Sequence, residues 1–290
     1  MERCRFIAEH HTRWSVVEMC RVLEVSRSRY YAWRQDPESP RVRETRRLDA
    51  AIRRLFAAHK SRAGSPKITR LLREEGWRVG TSRVAKRMRE MGLRSKVRRR
   101  YRTTTDSRHQ HPIAPNRLQR NFATQRPDQV YVSDITYIRT RSGWLYLTVV
   151  LDLYTHLVVG WALSDSLSHH AVLKALRRAV GRRRPPRGLI LHSDRGVQYA
   201  CSAFQQALTA HGFLPSMSRK GDPWDNAVAE SFFHILKSEL VHHTIWDGYF
   251  DAHRDLFEYL EVYYNTQRIH STIGWITPAQ RDARAVKQAA

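Results

Sequence analysis

The chain contains 290 residues, of which 51 are Lys or Arg and 27 are Asp or Glu, so its formal net charge is +24. This excess of positive charge indicates a polyanionic partner rather than a particular fold. No apolar run reaches the roughly 18 residues that would span a bilayer, and the N-terminus lacks the apolar core of a signal peptide. The three cysteines form no CxxC pair, which argues against a zinc knuckle or a disulfide framework and predicts a reducing cytoplasm.

The positive charge is concentrated in the first part of the chain. Residues 1–127 hold 33 Lys and Arg against 12 Asp and Glu, whereas residues 128–290 hold 18 against 15. The length allows two or three domains. We therefore expect an N-terminal part that binds phosphates and a C-terminal part with a different task.

Residues 1–40 are predicted to form a first helix-turn-helix. Ser15 and Glu18 have capping-box spacing at the start of one helix, and Ser26 can cap a second helix that runs through Trp33. An ordinary surface helix has the same charged outer face. DNA binding and simple solvation therefore both remain open for this unit.

A second helix-turn-helix is predicted within residues 41–105. Ser65 begins a helix that Gly76 ends, and Thr81 begins another that Gly92 ends. An apolar stripe follows one side of the last helix, as in a recognition helix that enters a major groove, although surface helices also have such a stripe. The side chains predicted to contact DNA from this helix are Arg83, Lys86 and Arg87.

A basic segment with several prolines follows. The run RSKVRRRYR at residues 94–102 concentrates charge, and its predicted DNA-binding residues are Arg98, Arg99 and Arg100. Residues 106–127 have little periodicity, which indicates a basic linker or arm. Such an arm either follows a DNA backbone through sequence-independent phosphate contacts or serves as a solvated tether.

Residues 128–290 have the element order of an α/β domain with a C-terminal helical extension. Three β-rich runs are followed by alternating helices and short strands. The predicted strands are 130–138, 144–153, 157–163, 189–191 and 213–217, and the predicted helices are 168–180 and 202–211. This order predicts an RNase H-like fold, a mixed sheet flanked by helices in which the first and fourth strands are neighbours.

Three acidic residues of this domain stand in distinctive local sequences. They are Asp134 in VYVSDITYI, Asp194 in LILHSDRGVQY and Glu230 in DNAVAESFFHILK. In the predicted fold the two aspartates meet at one side of the sheet, and a helix that begins near Asn226 brings Glu230 toward them. Clustered carboxylates supply the hard oxygen ligands of Mg²⁺ or Mn²⁺, and two such ions can assist both oxygens of a phosphodiester cleavage. The trio is therefore the predicted catalytic and metal-binding set.

Other polar residues of the domain have competing interpretations. Asp152 lies on the strand beside Asp134 and is either a strand-end cap or a support for the site. His192 is predicted to be buried and hydrogen-bonded rather than catalytic. Lys237, two helical turns after Glu230, either points at DNA phosphates or is solvated. The acids predicted to be surface charges or strand-end caps are Asp165, Asp222 and Asp225.

The acidic motifs resemble those of a known superfamily. The gap of 35 residues between Asp194 and Glu230, together with HSDRG and WDNAVAESFF, resembles DDE transposases and retroviral-type integrases. The likeness is closest to the OrfB transposases of the IS-three group of bacterial insertion sequences. Tyr131, where tryptophan is usual, and His156, where arginine is common, depart from the family pattern without touching the acidic trio.

The C-terminal run YNTQRIHS at residues 264–271 resembles the family's ending, together with the Gly274 and Thr277-Pro278 that follow it. Its residue types suggest no catalytic chemistry, so we expect a structural role. Arg268 is the one member of the run with a predicted DNA contact.

The resemblance implies a transposase that binds the terminal inverted repeats of its element through residues 1–127. It also implies metal-dependent strand cleavage and strand transfer into target DNA, with two Mg²⁺ or Mn²⁺ ions. The implied partners are DNA, further copies of the chain and an upstream-frame product whose fusion supplies part of the end recognition. The implied location is the bacterial cytoplasm, at the nucleoid.

Two alternatives belong to other functional classes. One is a non-catalytic DNA-binding regulator derived from a mobile element, and the intact acidic trio argues against it. The other is a simple RNase H-like nuclease, which the large basic N-terminal part disfavours.

Overall fold

The computed structural model describes residues 2–35, 39–96, 112–219 and 223–289. The chain divides into two compact units, Met1–Ser95 and Lys96–Ala290. Within the described ranges, none of the helices combines the length and the apolar character that crossing a membrane requires. The predicted DNA contacts at Arg98, Arg99 and Arg100 lie outside the described residues.

The described residues of the N-terminal unit form six α-helices. They are α1 (Glu2–His10), α2 (Val16–Val22), α3 (Arg27–Gln35), α4 (Pro40–Ala58), α5 (Ser65–Glu74) and α6 (Thr81–Glu90). As predicted, the Ser15 side chain accepts a hydrogen bond at the start of α2, and the Ser26 side chain accepts one from the backbone of Arg29 in α3. Gly76 and Gly92 follow α5 and α6 with φ of +89° and +71°, a left-handed backbone that favours glycine.

Each predicted helix-turn-helix packs on a further helix. Tyr30 of α3 is fully buried in a small core that also includes Ile7 of α1. Helices α5 and α6 share a second core with α4, whose Leu48, Ile52 and Leu55 repeat at helical spacing. The sequence-based prediction omitted α1 and α4, although the apolar repeat of α4 is visible in the amino-acid sequence.

The C-terminal unit contains a five-stranded mixed sheet. Its strands are β1 (Val130–Thr140), β2 (Gly143–Asp152), β3 (Val158–Ser164), β4 (Ile190–Ser193) and β5 (Leu214–Met217). Their order is β3-β2-β1-β4-β5, with β1, β2 and β3 antiparallel and with β4 parallel to both β1 and β5. The predicted RNase H-like α/β fold, with the first and fourth strands adjacent, is therefore confirmed.

Helices cover both faces of this sheet. The described helices are α7 (His169–Arg183), α8 (Val197–Ala200), α9 (Ser202–Ala210), α10 (Ala227–Glu239), α11 (Tyr249–Phe257) and α12 (Pro278–Ala289), with a π-helix at Glu258–Tyr264 between α11 and the C-terminal segment. Successive strand residues point to opposite faces, so Val132 packs with α10 and α11, whereas Tyr131 packs with α7 and α9. Helix α7 lies so close to β3 that a Cβ on Gly160 would come within 2.2 Å of the Ala175 carbonyl oxygen.

Candidate active site

The central strands bring two of the three predicted acids together. Strands β1 and β4 are parallel neighbours, and their register pairs Ser133 with Ser193. The next residues are Asp134 on β1 and Asp194 just after β4, and neighbouring strands are spaced about 4.8 Å apart. The parallel pairing thus brings together two residues that are 60 positions apart in the sequence.

Each aspartate is held by a backbone N–H close to it in sequence. The Ile135 N–H donates to Asp134 Oδ1 at 2.7 Å, and the Gly196 N–H donates to Asp194 Oδ1 at 2.9 Å. A Cβ on Gly196 would stand 3.0 Å from the same Asp194 oxygen. Glycine at this position therefore lets the backbone approach the carboxylate closely.

The acidic trio is coupled by charge. Burial raises the pKa of Asp134 well above its usual range, and the negative charges of Asp194 and Glu230 raise it further. The Ile135 N–H and the positive charge of Lys237 act in the opposite direction. All three acids are half-buried. Asp134 therefore lies within electrostatic reach of both other acids and of Lys237.

Helix α10 carries both Glu230 and Lys237. Lys237 lies seven positions after Glu230, which corresponds to about two turns, so the two side chains leave the same face of the helix. Lys237 is half-buried, and burial lowers its pKa while the charge of Asp134 raises it. Lys237 thus lies within electrostatic reach of Asp134 and is not fully exposed to solvent.

The donor chemistry of the trio fits a divalent cation, because carboxylate oxygens are the ligands that Mg²⁺ and Mn²⁺ prefer. In the parts of the chain that the structure describes, however, no three His, Cys, Asp or Glu side chains stand together as a ready-made metal site. The like charges of the three carboxylates repel one another, and each aspartate is held by a backbone N–H group. Both effects keep the carboxylates from standing closer together.

A buried tyrosine braces the strand that bears Asp134. The Tyr199 hydroxyl on α8 lies 2.9 Å from the Ser133 hydroxyl, which donates to the Val149 carbonyl oxygen. Burial raises the pKa of Tyr199, and the nearby charges of Asp134 and Asp194 add to that effect. The prediction from sequence missed this residue, although its place just after HSDRG was a usable signal.

His192 has the structural role that was predicted for it. Its ring is fully buried, with Nδ1 at 2.8 Å from the Ser216 hydroxyl and Nε2 at 3.2 Å from the Ser218 hydroxyl. Burial lowers its pKa to about 4. His192 is therefore a neutral link between β4 and β5.

Asp152 is a strand-end cap, one of the two predicted alternatives. Its carboxylate accepts hydrogen bonds from the backbone N–H of Asp128 at 2.9 Å and from both the N–H and the hydroxyl of Thr155. Asp165 is exposed, as predicted, and Asp222 lies outside the described residues.

The prediction for Asp225 as a surface charge or strand-end cap is wrong. Asp225 is fully buried and accepts hydrogen bonds from Arg219, Arg120 and Asn116. The hydrogen bond from Arg219 lowers its pKa, because it stabilises the charged form. Asp225 immediately precedes the cap of α10, so this cluster fixes the start of the helix that carries Glu230.

The predicted DNA-binding residues of α6 differ in their surroundings. The Arg83 guanidinium donates to Glu44 of α4 at 3.0 Å, and Arg87 is ion-paired with Asp49 of the same helix. Lys86 is 73% exposed, with Glu90 at 3.9 Å. Lys86 is thus the most accessible of the three predicted contacts.

The prediction that Arg268 contacts DNA is wrong. Its guanidinium is buried, and it donates to Glu239 at the end of α10.

Models of two known domain types match the chain. A model described as an integrase core domain matches residues 124–223, a second with the same description matches residues 211–278, and an HTH-like domain matches residues 43–101. Among solved structures, a chain of the simian T-cell lymphotropic virus intasome is 17% identical with a TM-score of 0.48, covering 79% of this chain and 73% of that one. The HTLV-2 integrase catalytic core domain, solved in complex with magnesium, is 16% identical with a TM-score of 0.43, covering 55% and 99%.

The closer relatives come from bacterial insertion sequences. Transposase InsF for insertion sequence IS3A of Escherichia coli K12 is 38% identical over 277 residues, which cover 95% of this chain and 96% of InsF. A 31 kDa protein of insertion element IS600 from Shigella sonnei is 41% identical over 261 residues, covering 90% and 96%. The chain therefore belongs to the IS3 family of insertion-sequence transposases, enzymes that act on DNA through an integrase core.

Proposed function

We propose that this transposase binds the ends of its element through residues 1–40 and 41–105. Asp134, Asp194 and Glu230 are proposed to form the site that cleaves and joins DNA strands. The observation that carries the proposal is the β1–β4 register, which brings Asp134 on β1 close to Asp194, the residue that follows β4. The charge coupling of Asp134 to Asp194 and Glu230 supports the same assignment.

In this proposal the three acids hold divalent cations, Mg²⁺ or Mn²⁺, and two ions are expected. When bound, the ions offset the charge that develops on the attacking and leaving oxygens of the phosphodiester. The Ile135 and Gly196 N–H groups orient the two aspartates. Glu230 joins them from the first turn of α10, and cation binding would draw the three carboxylates together.

Lys237 is proposed to bind a phosphate of the DNA end beside the acidic trio. It shares a helix face with Glu230 and lies within reach of the Asp134 charge. A lysine ammonium is a compact charge suited to one phosphate. This position would hold the strand against the carboxylates without taking part in bond making.

Residues 106–127 are proposed to act as a DNA-backbone arm. In the described part of this segment, Arg117 and Arg126 line a cleft of about 350 Å³ together with Arg187 from the loop before β4. All three arginines are exposed. Guanidinium groups around an open cleft suit phosphate contacts that carry no sequence information.

The remaining parts of the proposal concern partners. We propose that the DNA substrates are the terminal inverted repeats and a target duplex, that several copies of the chain act together on DNA, and that an upstream-frame product contributes to end recognition. These three proposals about partners rest on the family to which the chain belongs. A DNA partner of this kind implies action at the bacterial nucleoid.

The test is incubation of the purified chain with DNA that carries its own element's ends, with and without Mg²⁺. Strand nicks at the element boundary and joined ends in the presence of the metal are expected. Specific binding without cleavage under both conditions would favour the non-catalytic regulator. Cleavage at random sites would favour a simple nuclease.

A further inference from the structure

The C-terminal run YNTQRIHS contacts the sheet and α10. At one end, Asn265 pairs with the backbone of Val158 at the start of β3. Its Oδ1 accepts from the Val158 N–H at 2.9 Å, and its Nδ2 donates to the Val158 carbonyl oxygen at 3.1 Å. This double hydrogen bond anchors the run to the sheet.

Three residues later, Arg268 binds the last residue of α10. Its Nε lies 3.1 Å from both oxygens of Glu239, and its Nη2 lies 2.9 Å from Oε1. The two residues are 7% and 2% exposed. Burial is the largest influence and lowers the pKa of Arg268, but the charge and hydrogen bond of Glu239, together with Tyr259 and Tyr264, outweigh it and leave the pKa raised. The pair is therefore a charged, bidentate contact inside the protein.

Aromatic side chains surround this ion pair. The Tyr259 hydroxyl donates to Glu239 Oε2 at 2.9 Å, and the Tyr264 ring stands edge-on to Phe232 of α10 at 4.9 Å between centroids. Both tyrosines belong to the π-helix Glu258–Tyr264. Because a π-helix bonds each residue to the fifth one along, residues 259 and 264 lie about one turn apart and both reach α10.

Glu239 and Glu230 point in opposite directions from α10. Glu239 lies nine positions after Glu230, which corresponds to two and a half turns. The run thus contacts the side of α10 that carries Glu239, whereas Glu230 and Lys237 extend from the opposite side. At the other end of α10, the buried Asp225 cluster fixes the start of the helix.

The physics of a buried ion pair makes this contact a constraint on rotation. Compared with well-packed apolar residues, such a pair adds little stability. Separating the partners leaves a charge uncompensated in the interior, which is strongly unfavourable. Any rotation of α10 about its axis would carry Glu239 away from Arg268, so the pair allows one orientation.

We propose that Arg268 and Glu239 are positioning residues, which set the rotation of α10 and thereby aim Glu230 and Lys237 at Asp134 and Asp194. The proposal rests on the proposed catalytic role of Glu230. It gives the YNTQRIHS run a function that requires no contact with DNA or metal.

The test uses the full chain with the double substitution Glu239→Leu and Arg268→Met, which removes both charges and keeps the interior filled. We expect a cooperative thermal transition and wild-type DNA affinity. Misplacement of Glu230 is expected to lower cleavage on the order of 100-fold and to weaken Mn²⁺ binding measured by calorimetry. Wild-type cleavage and wild-type Mn²⁺ affinity in a folded double variant would overturn the proposal.

Two further variants make the outcome specific. Arg182→Met removes an ion pair that joins the same π-helix to α7 through Glu261, and it should leave cleavage and Mn²⁺ binding unchanged. Glu230→Gln tests the proposed function itself. If Glu230→Gln has no effect, the proposed site fails, whereas a loss in Glu230→Gln without a loss in the double variant contradicts only the positioning role.

Arg268→Lys keeps the positive charge but loses the bidentate geometry. This single variant replaces the double variant as the test if the double variant does not fold. We expect reduced cleavage, partly restored when Mn²⁺ replaces Mg²⁺, in a variant that still unfolds in one cooperative transition. Full activity of Arg268→Lys in Mg²⁺ would contradict the proposal.

Discussion

The two units of this transposase hold their charges in different ways. In the N-terminal unit, ion pairs such as Arg54 with Glu75 lie at the surface, where the Arg54 side chain is 59% exposed. In the C-terminal unit, Asp225 and Glu239 are buried against arginines. Surface pairs exchange partners at little cost, whereas buried pairs require fixed geometry. We therefore propose that exposed charges serve binding in the first unit and that buried ion pairs serve positioning in the second.

The strongest test of this separation removes the acids of the second unit. Asp134→Asn, Asp194→Asn and Glu230→Gln should each reduce strand cleavage roughly 10³-fold or more, because each removes a charge from the reaction centre. DNA affinity should stay close to wild type, since the basic first unit is proposed to provide most of it.

Asp165→Asn is the matched control, because Asp165 is an exposed acid of the same domain. Cleavage assays and mobility shifts on the same DNA ends would measure both properties. Retained cleavage in any one of the three variants removes that residue from the site.

A second test concerns the buried histidine between β4 and β5. The pKa of His192 in the folded chain is about 4, below the usual value near 6.5. The unfolded chain therefore binds more protons between these two pH values, so the free energy of unfolding falls as pH drops from about 6.5 toward 4. The contribution of His192 is up to roughly 3 kcal/mol.

Urea unfolding of the wild type and of His192→Asn across this pH range would measure the effect. His156, whose pKa burial also lowers to about 4, contributes in the same window. The substitution should therefore flatten the pH dependence without removing it. An identical pH slope in both proteins would contradict the assignment of a buried neutral His192.

Lys237→Ala examines a positive charge that lies within electrostatic reach of Asp134. We expect cleavage to fall about tenfold and the dependence of DNA affinity on log salt to lose about one unit of slope, because one phosphate contact disappears. Affinity measured for a pre-cleaved end across a salt series would show this. If slope and activity both match the wild type, Lys237 is only a surface charge.

Lys86→Ala should have the smallest effect, because it removes one exposed contact from the DNA-binding unit. The expected result is a uniform loss of affinity across DNA sequences and a salt slope reduced by about one. Glu18→Gln, a change on α2 in the other predicted helix-turn-helix, offers a comparison without loss of a cation. An unchanged slope in Lys86→Ala would mean that α6 does not face DNA.

The strands were predictable because their signals are local, and the acidic trio, whose role stays a prediction, could be singled out for the same reason. Alternating and apolar runs marked β1 to β5, and each acid stood in a short contiguous motif. The helix α4 was also within reach, since Leu48, Ile52 and Leu55 repeat at helical spacing.

The constraints on α10 were beyond prediction from one sequence. Asp225 pairs with Arg120 from 105 positions away, and Glu239 pairs with Arg268 across 29. No periodicity links such partners, and acids in loops or at helix ends usually prove to be surface charges. The π-helix, whose rare geometry brings Tyr259 and Tyr264 to the same helix, has no composition signal either.

The most direct test of the central claim is to soak crystals of the chain in Mn²⁺ and to locate the metal from its anomalous scattering. We expect Mn²⁺ in contact with the carboxylates of Asp134 and Asp194, with Glu230 completing the ligands, and no such signal in Asp194→Asn. Metal bound only elsewhere, or equally strong binding at this position in Asp194→Asn, would contradict it.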